Sequence, residues 1–189
     1  MSEESQARRL IDRLEETEPK RPHPAGKEIE VRRARRGDVA AIAALVRKAT
    51  RSKAQVDEAE VMDWLFGKGL VVAAEASLLV GVAAWQTENL LSVTDVFYVS
   101  PARLLARAGG GLLAAIEAEV NVLMCEANVV LLPVGSSKSV RASLQKHGYE
   151  PKEFKELHRI WREVLGEFMT GEPELMVKRL RERMVMAPI

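Results

Sequence analysis

The stretch that most constrains this chain runs from Thr94 to Glu119, TDVFYVSPARLLARAGGGLLAAIEAE. It opens as a strand, because Val93, Val96, Phe97, Tyr98 and Val99 are β-branched or aromatic and Ser100-Pro101 closes the run. It ends as a helix, with Leu113, Ile116, Val120 and Leu123 recurring at three- and four-residue spacing. Between the two lies Arg107-Ala108-Gly109-Gly110-Gly111. Glycines at a helix start leave backbone N–H groups unhindered at the positive end of the helix dipole, which suits a phosphate or pyrophosphate. The same glycines also serve as a plain turn or as a close-packing device, and the run alone does not separate these readings.

The bulk properties narrow the classes. A chain of 189 residues suits one domain with a small appendage, and 47% hydrophobic with 29% charged residues is ordinary for a soluble globular protein. A net charge of +1 argues for neither nucleic acid nor an anionic membrane as partner. The N-terminus is polar, without the apolar core of a secretory signal, and no apolar run approaches the ~20 residues of a membrane helix. The lone Cys125 excludes an internal disulfide and reads as a packed core thiol, so the expected compartment is the cytoplasm.

In chain order, residues 2–17 read as a short helix capped by Ser2, with Leu10, Ile11 and Leu14 as its apolar stripe, and residues 19–26 as a stiff proline-rich linker. Residues 1–27 are therefore an appendage to a body that spans 28–189. IEVRRA is a strand, followed by a helix opened by Gly37-Asp38 with Val39, Ile42, Leu45 and Val46 as its buried stripe, and by a second helix over about 57–66, ended by Gly67-Lys68-Gly69. Two apolar strands with a turn at Ala76-Ser77 precede the Thr94 unit, and NVVLLPV (128–134) is a continuous apolar central strand. KSVRASLQKH is a helix stopped by Gly148. Past Gly148, Phe154, Leu157, Trp161, Val164 and Phe168 mark an added helix, or a strand followed by one, and GEPELMVKRL is a closing strand. The tail 181–189, Met-rich from Met184 on, suits edge packing or contact with another chain. The pattern is α+β, with a mixed sheet.

Val99-x-Pro101, Gly109 and Leu112-Leu113 resemble motif A of the GCN5-related N-acetyltransferases, in which a V-x-P strand leads to an R-x-x-G-x-G/A loop and a helix. The match is degenerate: the family arginine falls on Leu104, the first glycine on Arg107 and the last on Gly109. VGSSKSVRASLQKHGYEP is similar to the family's late segment, with Ser136-Ser137, Lys146 and Gly148-Tyr149 in register. The resemblance spans about residues 28–150. It implies a mixed, mostly antiparallel central sheet flanked by helices, here with a short N-terminal helical extension. It also implies that two parallel strands (91–100 and 128–135) splay to admit acetyl-CoA, the co-substrate, with no metal.

On that resemblance, backbone groups near Tyr98 and Val99 bind the pantetheine, and Arg107, Ala108, Gly109, Gly110 and Gly111 hold the pyrophosphate. Ser137 bonds the coenzyme or simply caps its helix. An amine attacks the thioester directly, which needs a base. The candidates are Asp95 and Glu88. Asp95 is two residues from Val93, where some family members carry a glutamate, and its apolar neighbours Val93, Val96 and Phe97 would raise its pKa by desolvation. The alternatives are a structural ion pair for Asp95 and simple solvation for Glu88. The tyrosine that many members use as acid is Leu144 here. His23, His147 and His158 are scattered, without metal-ligand spacing. The leading expectation is an acyl-CoA-dependent N-acyltransferase acting on a small-molecule or protein amine. The other is an inactive module of the same fold in a larger assembly, such as a phage particle. In either case the N-terminal helix and C-terminal tail are available for a homo-oligomer or an assembly partner.

Overall fold

The computed structural model describes residues 28–182. The expected N-terminal helix, the linker and the Met-rich tail lie outside these residues.

Seven strands form one sheet: β1 (Ile29–Arg33), β2 (Gly69–Glu75), β3 (Leu78–Glu88), β4 (Leu91–Val99), β5 (Ala127–Leu132), β6 (Glu150–Lys152) and β7 (Glu174–Arg179). Their spatial order is β1-β2-β3-β4-β5-β7-β6, and among the described residues only β4 and β5 run parallel. The helices are α1 (Val39–Ala49), α2 (Glu58–Gly67), α3 (Gly110–Val122), α4 (Lys138–Lys146) and α5 (Arg159–Phe168). The α+β reading and the mostly antiparallel sheet are both found. So is a strand followed by a helix after Gly148, β6 and α5.

Local chemistry explains the boundaries. Asp57 caps α2 by accepting from the Glu60 amide at 2.8 Å, and Ser137 caps α4 by accepting from the Val140 amide at 3.3 Å. Gly148 takes φ +84° to end the α4 segment. Asn89 and Leu90 both have left-handed φ in the two-residue turn that joins β3 to β4.

Each face of the sheet is covered, which is why β5 is buried along its whole length. On one face Leu112, Leu113, Ile116 and Val120 of α3 and Leu144 of α4 pack on Val71, Ala83, Phe97, Val130 and Met176. The opposite face carries two separate clusters. Ile42, Val46, Val61 and Trp64 of α1 and α2 cover Val72, Val82, Ala84 and Val96. Trp161, Val164 and Leu165 of α5 cover Leu91, Val93, Val129, Leu175 and Val177. The seam between these clusters runs along β4.

At the β1–α1 corner Arg32 grips Asp38 through two bonds of 2.7 and 2.9 Å, while Asp38 also accepts from the Arg35 amide at 2.7 Å. The hydrogen bond from Arg32 holds the Asp38 carboxyl below its ordinary value. A depressed carboxylate stabilises the fold above its unfolded pKa, and that stability is lost as pH falls through the folded value. Asp38→Asn is therefore expected to cost about 1 kcal/mol at neutral pH. The gap between variant and parent should close as pH drops below about 3.8, read from urea midpoints across a pH series.

Candidate active site

The parallel strands part. Pairing of β4 with β5 runs from Leu91↔Ala127 to Thr94↔Val130 and stops, although β4 continues to Val99 against β3. At the fork β4 carries a bulge: Ala84 pairs with Val96 and Trp85 with Thr94, which leaves Asp95 as the extra residue. The Ser100 amide donates to the Val80 carbonyl at 2.9 Å, so the main chains of Ser100 and Tyr98 turn toward β3. By alternation those of Phe97 and Val99 turn toward the gap, where pairing with β5 has ended. The Val99 main chain thus faces the gap, whereas that of Tyr98 faces β3, and Phe97 is the other residue on the gap side. The reason is the period-two direction of ladder hydrogen bonds, which a resemblance at two adjacent residues does not resolve.

The bulge also sets the side chains. Val93 and Val96, three apart, both point to the face of α1, α2 and α5 because the extra residue shifts the alternation. Asp95 stays partly exposed where the two clusters on that face meet, and Tyr98 is partly exposed against the α1–α2 cluster. Lys68, at the α2–β2 junction, makes an ion pair with Asp95 Oδ2, while Oδ1 is buried without a hydrogen bond among the described residues. The expected apolar sheath around Asp95 is therefore broken by an ammonium. Burial pushes the Tyr98 phenol above its ordinary value, and the negative charges of Glu60 and Asp95 push the same way, so it remains a hydrogen-bond donor at neutral pH.

A buried polar chain sits below the fork. Thr94 Oγ1 donates to Asn128 Oδ1 at 3.1 Å, and Asn128 Nδ2 donates to the Tyr149 hydroxyl at 2.8 Å. That hydroxyl donates to Glu117 Oε1 at 3.2 Å, and Lys178 Nζ donates to Glu117 Oε2 at 2.7 Å. Burial, first, and the Glu117 charge drive the Tyr149 phenol far above its ordinary value. The chain ties β4, β5, β7 and α3 together at the level where the strands separate.

The glycine run departs from the sequence expectation. Residues 102–109 are already wound, as a 3-10 turn and then a π-helical turn, and run on into α3. Gly109 and Gly110 have ordinary right-handed helical angles, and the Gly110 amide donates to the Arg107 carbonyl. Arg107, Ala108, Gly109, Gly110 and Gly111 therefore form no open loop; their amides lie within a winding that starts at Ala102. The glycines act as packing devices. A Cβ on Gly110 would sit 2.6 Å from His147 Nε2, and one on Gly111 would sit 2.8 Å from Val31 Cγ2. Arg107 lies 3.8 Å from Glu75. The first turn, at Ala102 and Arg103, has no earlier carbonyl of the winding to which its amides could donate.

Glu88 is exposed at the β3–β4 hairpin opposite Leu91, at the end of β4 where pairing with β5 is intact. Four residues separate Leu91 from the bulge, about 13 Å of strand, so the structure does not bring Glu88 to the fork. Ser137 is exposed, and its hydroxyl serves the α4 cap. Val93 is sealed beneath α5, and Leu144 is fully buried. Cys125 is buried in the core, and burial raises its thiol pKa. Lys68 and Asn128 were missed in the sequence. A lysine between two helix-ending glycines and a lone asparagine opening an apolar strand are weak signals. Among the described residues no group of histidine, cysteine or carboxylate side chains could hold a metal, and no helix is long and apolar enough to cross a membrane.

Among solved structures, the chain is similar to a GNAT-family acetyltransferase from Staphylococcus aureus Mu50, at 11% identity and a TM-score of 0.64, covering 82% of this chain and 100% of that one. The PaiA N-acetyltransferase from Thermoplasma acidophilum, solved with coenzyme A, gives 13% identity and a TM-score of 0.58, over 80% and 99% of the two chains. N-acetylglutamate synthase from Neisseria gonorrhoeae, solved with coenzyme A and N-acetyl-glutamate, gives 20% identity and a TM-score of 0.60. There the match covers 82% of this chain but spans only 36% of the other. No protein-family model matches the sequence, and no curated protein matches it.

Tyr149→Phe would strand Asn128 Nδ2 and one Glu117 oxygen in the interior. It is expected to cost about 1–3 kcal/mol in urea unfolding, more than the loss of a solvated hydroxyl.

Proposed function

From the fold of the GCN5-related N-acetyltransferases, which this chain has, we propose that it is an acyl-CoA-dependent N-acyltransferase, with acetyl-CoA as donor and a primary amine as acceptor. The observation that carries the reading is the fork: a parallel pair that separates at a bulge and leaves the Phe97 and Val99 main chains facing a gap. A pantetheine arm is an extended amide chain, and unpaired strand amides and carbonyls are its natural partners. The Phe97 and Val99 amides on that edge can also bond the thioester oxygen as it gains charge. The pyrophosphate would meet the first turn of the winding, at Ala102 and Arg103, where the helix dipole is positive and the Arg103 guanidinium is exposed.

The acceptor approaches from the seam between the α1–α2 and α5 clusters, because α5 seals the rest of that face. There Asp95 takes the proton from the attacking ammonium. The Tyr98 phenol, protonated at neutral pH and near enough to Asp95 to feel its charge, can donate a hydrogen bond beside it. The lone cysteine suits a reducing compartment, and we place the protein in the cytoplasm.

The wound segment 102–109 favours a second reading, a retained fold without catalysis, because it closes the cradle in which the pyrophosphate was expected. Titration calorimetry with acetyl-CoA, and with desulfo-CoA as control, separates the two. Micromolar binding of both, weakened by a charge reversal at Arg103, supports the enzyme. An amine screen would then follow, and Asp95→Asn is expected to lower kcat by about 10²-fold or more while the affinity for acetyl-CoA is kept. No binding at millimolar coenzyme would leave the structural reading.

A further inference from the structure

We infer that Lys68 is itself an acyl acceptor, and that the protein acetylates this side chain when acetyl-CoA occupies the fork. The inference rests on the donor reading above. Its own evidence is the placement of one amine. The Lys68 amide is fixed by donation to the Trp64 carbonyl at 2.9 Å, and the next residue, Gly69, lies so close under the Trp85 ring that a Cβ there would meet ring carbons at 2.3 Å. The backbone is thus clamped on both sides. The side chain is 16% exposed and ends against Asp95 Oδ2, on the residue that makes the fork. An amine destined for acylation in such a site needs a carboxylate that fixes its ammonium and can take its proton, beside the opening that admits the thioester. Lys68 already occupies that position.

The step balances without a further reactant. The Lys68 ammonium gives one proton to Asp95, and the free amine attacks the thioester carbonyl carbon. The N–C bond forms as the C–S bond breaks, and the sulfur leaves with the electron pair. A second proton, lost by the nitrogen, goes to the thiolate, and the one held on Asp95 passes to solvent. The Asp95 oxygen without a hydrogen bond, Oδ1, is available to carry that proton. The amide that results has no charge, so modification dissolves the ion pair and leaves the carboxylate for an incoming amine. Self-acylation would thereby switch the site from a closed pair to an open base.

Exposure supplies the test. Lys48, Lys53, Lys138, Lys146 and Lys155 are all exposed, and a diffusing reagent should modify them before the largely covered Lys68. The full-length protein is incubated with acetyl-CoA, or with acetyl phosphate as a small chemical donor, and occupancy at each lysine is followed by peptide mass spectrometry. With acetyl-CoA, Lys68 should gain an acetyl group at least tenfold faster than any exposed lysine, with a rate constant independent of protein concentration. With acetyl phosphate that preference should vanish. Lys68→Arg keeps the cation and the fold and should abolish the selective acetylation, and Asp95→Asn should slow it at least tenfold. If calorimetry shows acetyl-CoA bound while Lys68 stays unmodified, or reacts no faster than the exposed lysines, the inference fails and the acyltransferase reading stands. If the coenzyme does not bind at all, both fail together.

Discussion

The structure turns on one requirement of backbone chemistry. A strand inside a sheet must satisfy its amides and carbonyls on both sides, yet β4 does so only up to Thr94. Beyond that point β3 continues to pair with it and β5 does not. The bulge at Asp95 gives the strand its bend, and the covered faces keep the edge from being annealed. Most of the remaining architecture serves to hold that half-open strand in place. The turn at Leu105–Gly109 braces it from one face, and α1 and α5 brace it from the other.

The polar chain from Thr94 to Lys178 is part of that brace. Apolar packing is non-directional and would let β4 and β5 slide or close, whereas hydrogen bonds between named side chains fix a register. Thr94, at the last level of pairing, reaches across to Asn128, which pairs with Ser92, and Tyr149 and Glu117 anchor them to α3. Burial makes each partner costly to strand. The network therefore defines where separation begins, much as the bulge defines how far it goes.

Much of the fold could be read from the chain because it is written in side-chain periodicity. The apolar run at 128–134, the cap at Ser137 and the glycine stop at Gly148 all carry local physics that survives into the structure. The helix after Gly148 was visible from Trp161, Val164 and Phe168, though the helix pattern could not say that it seals Val93. The glycine run shows the limit. Gly109-Gly110-Gly111 satisfies an open anion loop and a tightly packed helix equally well, and the choice is made by His147 and Val31, which are remote in sequence. Asp95 was legible as a carboxylate near the fork; its partner Lys68 was not, because the contact joins residues on either side of a whole hairpin.

The bulge has one more consequence. It acts as a phase change along β4: residues before it and after it address the two faces of the sheet with opposite parity. Drawing that single residue into the ladder, without deleting it, would restore strict alternation and rotate everything downstream by half a turn of the pleat. Phe97 and Val99 would then address the α1–α2 side and Tyr98 the α3 side, and the ladder bonds to β3 would move to the neighbouring residues. The outer half of the strand is thus specified by a count as much as by its composition: deleting Asp95 would leave the wall in phase with β3, whereas flattening the bulge with Asp95 kept would invert it.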